Sequence, residues 1–267
     1  MTNHRGYAIL GAPRTGSNIL CEVLTDSGRA GNPDEWYGPS RLHQRLVDWG
    51  LAQADSSPTM PRATSWYDYR QRLLSETSAG GVFGLKLFHY QARPLLRSGQ
   101  LDSLSDFLPE QCRADLKVIL MRRDDIVAQA VSVAVAHNTG VYLAGHRPVR
   151  TTRRFWEQDT EDDAAAQVLL RSQEHDYAPE WIDRIVAGLR AEYRAWDDWL
   201  SGQDLPVLTI SYEDMVQRRS ATLERVWDHL ELGRRSEFPP PRISKQGDSL
   251  NASIAERYTS WLGGTSR

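Results

Sequence analysis

The chain has 267 residues, a formal net charge of -3 and a hydrophobic fraction of 40%, the profile of an ordinary globular protein long enough to bury a sizeable core. No basic excess calls for nucleic acid or an anionic membrane surface, and no apolar run is long enough to cross a bilayer. The N-terminal apolar run is too short for a secretory signal, Cys21 and Cys112 form no close-spaced pair, and the histidines make no metal-ligand cluster, so a cytoplasmic setting without a protein-built metal site is expected.

The chain opens on its most informative stretch. Tyr7-Ala8-Ile9-Leu10 is an apolar run of strand length, Gly11 to Gly16 is a loop with a proline, and from Ser17 onward Ile19, Leu20, Val23 and Leu24 fall at helical spacing. Strand, tight loop and helix gather backbone N–H groups and a helix N-terminus around one anion. Arg14 adds a permanent charge with a fork of donors. Gly11 and Gly16 have the spacing of a nucleotide-triphosphate loop, but Ser17-Asn18 follows where Lys-Ser/Thr should stand. Magnesium-dependent phosphoryl transfer is thereby disfavoured, while a phosphate or sulfate cradle is not. Cys21, on the apolar face of this first helix, fits a small core residue better than a reactive thiol.

Residues 28–39 form a loop dense in turn formers that still carries Trp36 and Tyr37, and it is expected to fold back over something. A helix with Leu42, Leu46, Val47, Trp49 and Leu51 and then an Ala/Ser/Pro linker occupy residues 40–58, and residues 64–76 are weakly helical. The second strand, Gly81 to Phe88, is apolar on both faces except for Lys86, as a central parallel strand should be. The third, Leu116 to Met121, runs into Arg122-Arg123-Asp124-Asp125, where the aspartates suit the start of a helix. That helix spans Ile126 to about His137.

Residues 146–163 place four arginines ahead of five acidic residues, an exposed or mobile stretch that also allows a lid or partner-contact role. The stripe Ile182, Ile185, Val186, Leu189, Tyr193, Trp196 and Leu200 is core packing. Pro206 to Tyr212 is a fourth strand, Ala221 to Leu232 a helix that Gly233 would end, and a last helix carries Ile254, Tyr258 and Trp261. Buried strands alternating with helices predict one α/β domain of three layers, a P-loop-type fold with a central parallel sheet flanked by helices. The expected domain covers residues 1–267, with a mobile or partner-contacting insertion around 138–175.

Pro13-Arg14-Thr15-Gly16-Ser17 after strand one, Gly84-Leu85-Lys86 in strand two, and Arg123 with Ser132 after strand three occur in one order. Gly31-x-Pro33-x-Glu35-Trp36-Tyr37, Tyr212-Glu213-Asp214 and Gln246-x-Asp248 complete the set. Together they resemble the sulfotransferases that use 3′-phosphoadenosine 5′-phosphosulfate, and most of all the bacterial trehalose-sulfotransferase-like family. The resemblance implies that Pro13, Arg14, Thr15, Gly16, Ser17 and Asn18 hold the 5′-phosphosulfate. It gives Arg123 and Ser132 to the donor's 3′-phosphate, with Gln246 also on the donor. It makes Glu35 the base and implies a homodimer, with no metal.

These roles suit the chemistry. Sulfuryl transfer to an alcohol needs an aligned donor, neutralised charge on the leaving phosphate and removal of the hydroxyl proton, so positioning and electrostatics should dominate. Arg14 and Lys86 would stabilise the bridging oxygen, and Glu35 would take the proton. Trp36 and Tyr37 are expected to raise the Glu35 pKa by desolvation and to offer a face to the acceptor. His89, just past the second strand, is a rival base or an acceptor contact, and Arg122 competes with Arg123 for the 3′-phosphate. The acceptor is expected to be a carbohydrate or glycan-like hydroxyl. A metal-independent nucleotide or phosphate-ester transferase, or a non-catalytic nucleotide- or glycan-binding module, is the competing function.

Overall fold

Four strands form one parallel sheet in the computed structural model, which describes residues 4–140, 177–233, 238 and 249–265. They are β1 (Arg5–Gly11), β2 (Val82–Phe88), β3 (Leu116–Arg122) and β4 (Val207–Ser211), in the order β2-β1-β3-β4. Ala8 lies opposite Leu85 on one side and Val118 on the other, and Leu120 lies opposite Thr209. All four expected strands are present. Their near-continuous apolar runs are the pattern of strands covered on both faces.

The described helices are α1 (Ser17–Asp26), α2 (Pro39–Asp48), α3 (Trp66–Thr77), α4 (His89–Arg97), α5 (Ile126–Thr139), α6 (Pro179–Ser201), α7 (Tyr212–Gln217), α8 (Arg219–His229) and α9 (Ser249–Thr265). On one face of the sheet Ala8, Leu10, Phe83, Leu85, Leu87, Val118 and Leu120 pack with Leu42, Leu46, Leu73, Ala92 and Trp196. On the other, Tyr7, Ile9, Ile119, Met121 and Ile210 pack with Leu20, Leu24, Leu223 and Val226. Side chains alternating across each strand thus feed two separate cores, and the α/β three-layer architecture is as expected.

The chain divides into two compact units, Met1–Arg122 with Ala195–Pro241, and Arg123–Arg194 with Arg242–Arg267. The first holds the whole sheet. In the second, α5 packs with α9, the stripe Trp181, Ile182, Ile185, Val186 and Leu189 is buried, and the Tyr258 hydroxyl donates to Asp183 at 2.7 Å. Residues 141–176, which contain nearly all of the expected insertion, lie outside the described residues, as do Gln246 and Asp248. Among the described residues no helix is long and apolar enough to cross a membrane.

Three local features depart from the expectation. The turn after β2 begins a helix, α4, that carries Pro94 in its interior. A second short helix, α7, starts at Tyr212, capped by the Ser211 hydroxyl, which accepts from the Asp214 N–H at 3.0 Å. The third concerns α8, which ends at His229 rather than running to Gly233. Glu231 takes a left-handed conformation (φ 54°), and the Leu232 N–H returns to the Trp227 carbonyl at 3.1 Å, closing the helix as a left-handed cap does. The Arg5 guanidinium on the Glu231 carbonyl (3.0 Å) and Lys117 on its carboxylate (2.6 Å) hold that conformation without a glycine.

Candidate active site

The loop after β1 sits where the chain leaves the central strand, with β2 on one side and β3 on the other, the position at which open α/β sheets bind ligands. Arg14 (φ 68°) and Gly16 (φ 77°) both adopt left-handed backbone. For glycine this is free, but for arginine it carries strain of the kind found at functional loops. A Cβ at Gly16 would come within 2.9 Å of the Tyr212 ring, so Tyr212 closes one wall of the loop and demands glycine there. The Thr15 hydroxyl donates to the Ala12 carbonyl at 3.0 Å and is fully buried, so it braces the loop and does not face outward. Ser17 is buried as well. The Gly16 carbonyl accepts from Ile19 at 2.9 Å, while among the described residues the N–H groups of Thr15, Gly16, Ser17 and Asn18 meet no backbone acceptor. Those at Ser17 and Asn18 are the orphan donors of a helix start.

Lys86 rises from β2 on the same sheet face as α1. Gly84, two residues earlier, has no side chain because the Tyr7 ring occupies that space; the Tyr7 hydroxyl donates to the Ala30 carbonyl at 2.8 Å. The Lys86 side chain is almost wholly buried, with its ammonium between Asn18 of α1 and Glu35 Oε1 at 2.7 Å. Its backbone brings Glu35 to it, because the Lys86 N–H donates to the Asp34 carbonyl at 3.1 Å. Residues 31–35 therefore run along the free edge of β2. Gly31 (φ 69°) makes that approach possible, since a Cβ there would come within 2.7 Å of the Val82 carbonyl and 2.9 Å of the Thr77 carbonyl. Asp34 finishes the turn, accepting from the Glu35 N–H at 2.7 Å and from Arg41 at 2.8 Å.

The second Glu35 oxygen, Oε2, accepts from Gln91 Nε2 of α4 at 2.6 Å. Both carboxylate oxygens thus receive donors, while the side chain keeps about 27% of its surface exposed. Burial by itself would raise the Glu35 pKa, but the Lys86 ammonium and the hydrogen bonds from Lys86 and Gln91 outweigh it and hold the carboxyl below its ordinary value. This corrects the expectation of a raised value. Burial likewise pulls Lys86 down, and Glu35 more than reverses it, leaving the ammonium's pKa raised. The pair is fully ionised near neutrality.

Trp36 and Tyr37 do not present the acceptor face expected of them. Tyr37 is fully buried, its hydroxyl on the Phe107 carbonyl at 2.9 Å and its ring against Phe107 and Tyr69 at 4.7 and 5.5 Å. Trp36 is buried beneath the Arg45 guanidinium, 4.2 Å from the ring centroid, and its carbonyl accepts from the Tyr69 hydroxyl at 2.6 Å. The two aromatics anchor the loop in the core and so aim Glu35. That is the folding back which two large rings in a turn-rich loop imply.

His89 begins α4, edge-on to Trp196 at 5.7 Å. Burial, then the charges of Arg93 and Arg97, push its pKa down to about 4, so it is neutral at pH 7. Cys21 is buried with its thiol pushed up to about 12, mainly by burial, which fits the core role. Arg122 is ion-paired with Asp197. In the second unit, the Arg123 N–H donates to the Tyr193 hydroxyl at 3.2 Å, and that hydroxyl donates to Gln129 at 2.9 Å. Asp125 caps α5 by accepting from the Ala128 N–H at 2.8 Å, and Ser132 lies partly buried on the same helix.

The structure therefore brings Glu35, Lys86 and Asn18 into one cluster of the first unit and adds Gln91, which the sequence reading missed. Its signal was a glutamine three residues after Phe88, the reciprocal arm of a capping box: Gln91 Oε1 accepts from the Phe88 N–H at 3.2 Å. Among the described residues no group of His, Cys, Asp and Glu is arranged to hold a metal ion.

A trehalose 2-sulfotransferase of Mycolicibacterium smegmatis is 25% identical over 97% of this chain and 96% of its own length. A trehalose 2-sulfotransferase of Mycobacterium tuberculosis is 23% identical over 95% and 94%. Among solved structures, the sulfotransferase domain of the Synechococcus PCC 7002 olefin synthase aligns with 97% of this chain and 88% of that chain at 15% identity and a TM-score of 0.44. The Stf0 sulphotransferase family model matches residues 6–260, nearly the whole sequence, and the chain belongs to that family of sulfotransferase enzymes.

Proposed function

We propose that this protein moves the sulfuryl group of 3′-phosphoadenosine 5′-phosphosulfate onto a hydroxyl of a carbohydrate or glycan-like acceptor, by in-line transfer with Glu35 as general base. One observation carries the reading: a doubly hydrogen-bonded carboxylate, paired with a buried lysine that also contacts the first helix of the anion loop. The acceptor oxygen attacks sulfur as the bond from sulfur to the bridging phosphate oxygen breaks. The acceptor's proton passes to Glu35, and the leaving 3′,5′-bisphosphate keeps the electron pair. Loop N–H groups, Arg14 and Lys86 supply positive potential where that charge develops. Donors that are prearranged at low dielectric act there without reorganising.

Arg123 and Ser132 are proposed for the 3′-phosphate, a role that rests on the family resemblance. Arg122, ion-paired with Asp197, is the other candidate for that phosphate. The names of the curated relatives support a carbohydrate acceptor; a homodimer is proposed on the resemblance alone, and a cytoplasmic setting on the lack of a close-spaced cysteine pair in the sequence. The test is calorimetry with 3′,5′-bisphosphoadenosine, 5′-AMP and ATP, each with and without Mg²⁺. Donor-dependent sulfation of a carbohydrate panel that includes trehalose, read by mass spectrometry, follows. Preference for the bisphosphate without Mg²⁺, and a mass gain of one sulfuryl group, are expected. Preference for ATP with Mg²⁺ would overturn the reading.

A further inference from the structure

Gln91 is held at both ends of its amide. It is 2% exposed, and its Oε1 accepts from the Phe88 N–H at 3.2 Å. A backbone N–H can only donate, so the oxygen must face Phe88 and the NH₂ must face Glu35, at 2.6 Å from Oε2. The amide orientation is therefore dictated by the chain and not by the carboxylate. Lys86 holds the other oxygen at 2.7 Å, five residues earlier on the same strand–helix junction. These two donors differ in what else they must do. In the proposed reaction Lys86 also faces the charge developing on the leaving phosphate, whereas Gln91 is tied back to the main chain, its NH₂ also meeting the Tyr90 hydroxyl at 3.5 Å.

We infer that Gln91 is the positioning residue of the base: its carboxamide fixes the plane of the Glu35 carboxylate and aims it at the acceptor hydroxyl until it takes the proton. The inference rests on the reading of Glu35 as base. It predicts that loss of the amide acts on the proton-transfer step and on Glu35 titration, not on donor binding. A misaimed base costs rate even where the fold survives, and removal of one donor moves the carboxyl upward, as the Gln91 hydrogen bond now helps hold it down.

The test compares wild type with Gln91→Met, Gln91→Glu and Glu35→Gln in the full-length chain. For each, kcat and donor KM are measured across pH, bisphosphate affinity by calorimetry, and the Glu35 carboxyl titration by NMR of carbon-13-labelled glutamate, assigned through its loss in Glu35→Gln. Gln91→Met, of similar length but without an amide, should lower kcat roughly 10- to 100-fold with bisphosphate affinity unchanged. Its acidic pH limb and the Glu35 NMR midpoint should both move up. Gln91→Glu keeps the length and sets two carboxyls against each other, so both readouts should move up further. Should Gln91→Met fail to fold, Gln91→Glu and its titration decide. Unchanged kcat, or a fall in kcat with the pH limb and NMR midpoint unmoved, overturns the inference and leaves Gln91 as a packing residue. Near-normal kcat in Glu35→Gln instead removes the base assignment itself, a different failure read from a different variant.

Discussion

Two lysine–glutamate pairs stand at opposite ends of the same parallel sheet, with nearly equal lengths and unlike surroundings. Lys86–Glu35, near the C-terminal end of β2, measures 2.7 Å, and Lys117–Glu231, at the start of β3, measures 2.6 Å. Glu231 is 65% exposed and Lys117 is its closest cation, the hydrogen bond and charge of that lysine lowering its pKa. Lys86 is 2% exposed and shared with Asn18, while Glu35 also holds Gln91. The lesson is that distance does not rank ion pairs. Screening leaves the exposed pair worth little, whereas the buried pair is costly to break and electrically potent toward anything that enters beside it.

The largest contrast should come from removing each lysine. Lys86→Met leaves Glu35 with Gln91 as its main donor and takes a cation from the transfer step, so sulfation should fall roughly 10²- to 10³-fold. Stability should fall by about 1–3 kcal/mol, less than for a fully buried pair because Glu35 reaches water, as denaturant unfolding would show. Lys117→Met, by contrast, should leave sulfation at the wild-type level. Equal losses in both would end the distinction.

Arg14 sharpens the contrast from the neighbouring loop. Its left-handed backbone is easier for glycine, so Arg14→Gly should gain up to about 1 kcal/mol of stability while losing donor affinity. Thermal unfolding and calorimetry with the bisphosphate check the two halves. A loss of stability would mean that the loop's strain lies elsewhere.

Much of this arrangement was legible in the sequence, for identifiable reasons. The strands announced themselves as continuous apolar runs, and the two glycines framing a proline and an arginine marked the anion loop. Glu35 was visible through its flanking Gly31 and aromatics. Its ionisation was not, because the deciding partner, Lys86, lies 51 residues away and arrives through a backbone bond from Lys86 to Asp34. Local desolvation by Trp36 and Tyr37 was the only influence the sequence displayed, and it has the opposite sign. Helix α4 was hidden by Pro94 inside it, and Gln91 with it. Where α8 stops was misplaced because Glu231 does a glycine's work with tertiary help from Arg5 and Lys117.

The pH response should also separate the two ends of the molecule. The Glu35 carboxyl titrates below its unfolded value near 4.5, so its stabilising share is complete above that pH and disappears as pH falls through the lower folded value. Lys86 is raised above 10.5, so its share is complete below that pH and disappears as pH rises through the folded value. His89 adds a slope of its own. Unfolded histidine binds protons below about 6.5, but the folded residue resists until about 4, so stability declines across that window as pH falls. His89→Asn should flatten the thermal midpoint between pH 6.5 and 4 and leave kcat near wild type. The smallest effect is expected from Glu231→Gln, with sulfation and its pH profile both superimposable on wild type.

The central claim is that Glu35, held by Lys86 and Gln91, removes the acceptor proton. Glu35→Gln tests it most directly, because the amide keeps the shape and removes the basicity. With the acceptor found in the carbohydrate panel, turnover is measured at saturating donor, and bisphosphate affinity is measured by calorimetry on the same preparation. A fall in kcat of roughly 10²- to 10⁴-fold with affinity preserved is the predicted result. Turnover within about threefold of wild type would contradict it, and so would loss of activity confined to His89→Asn.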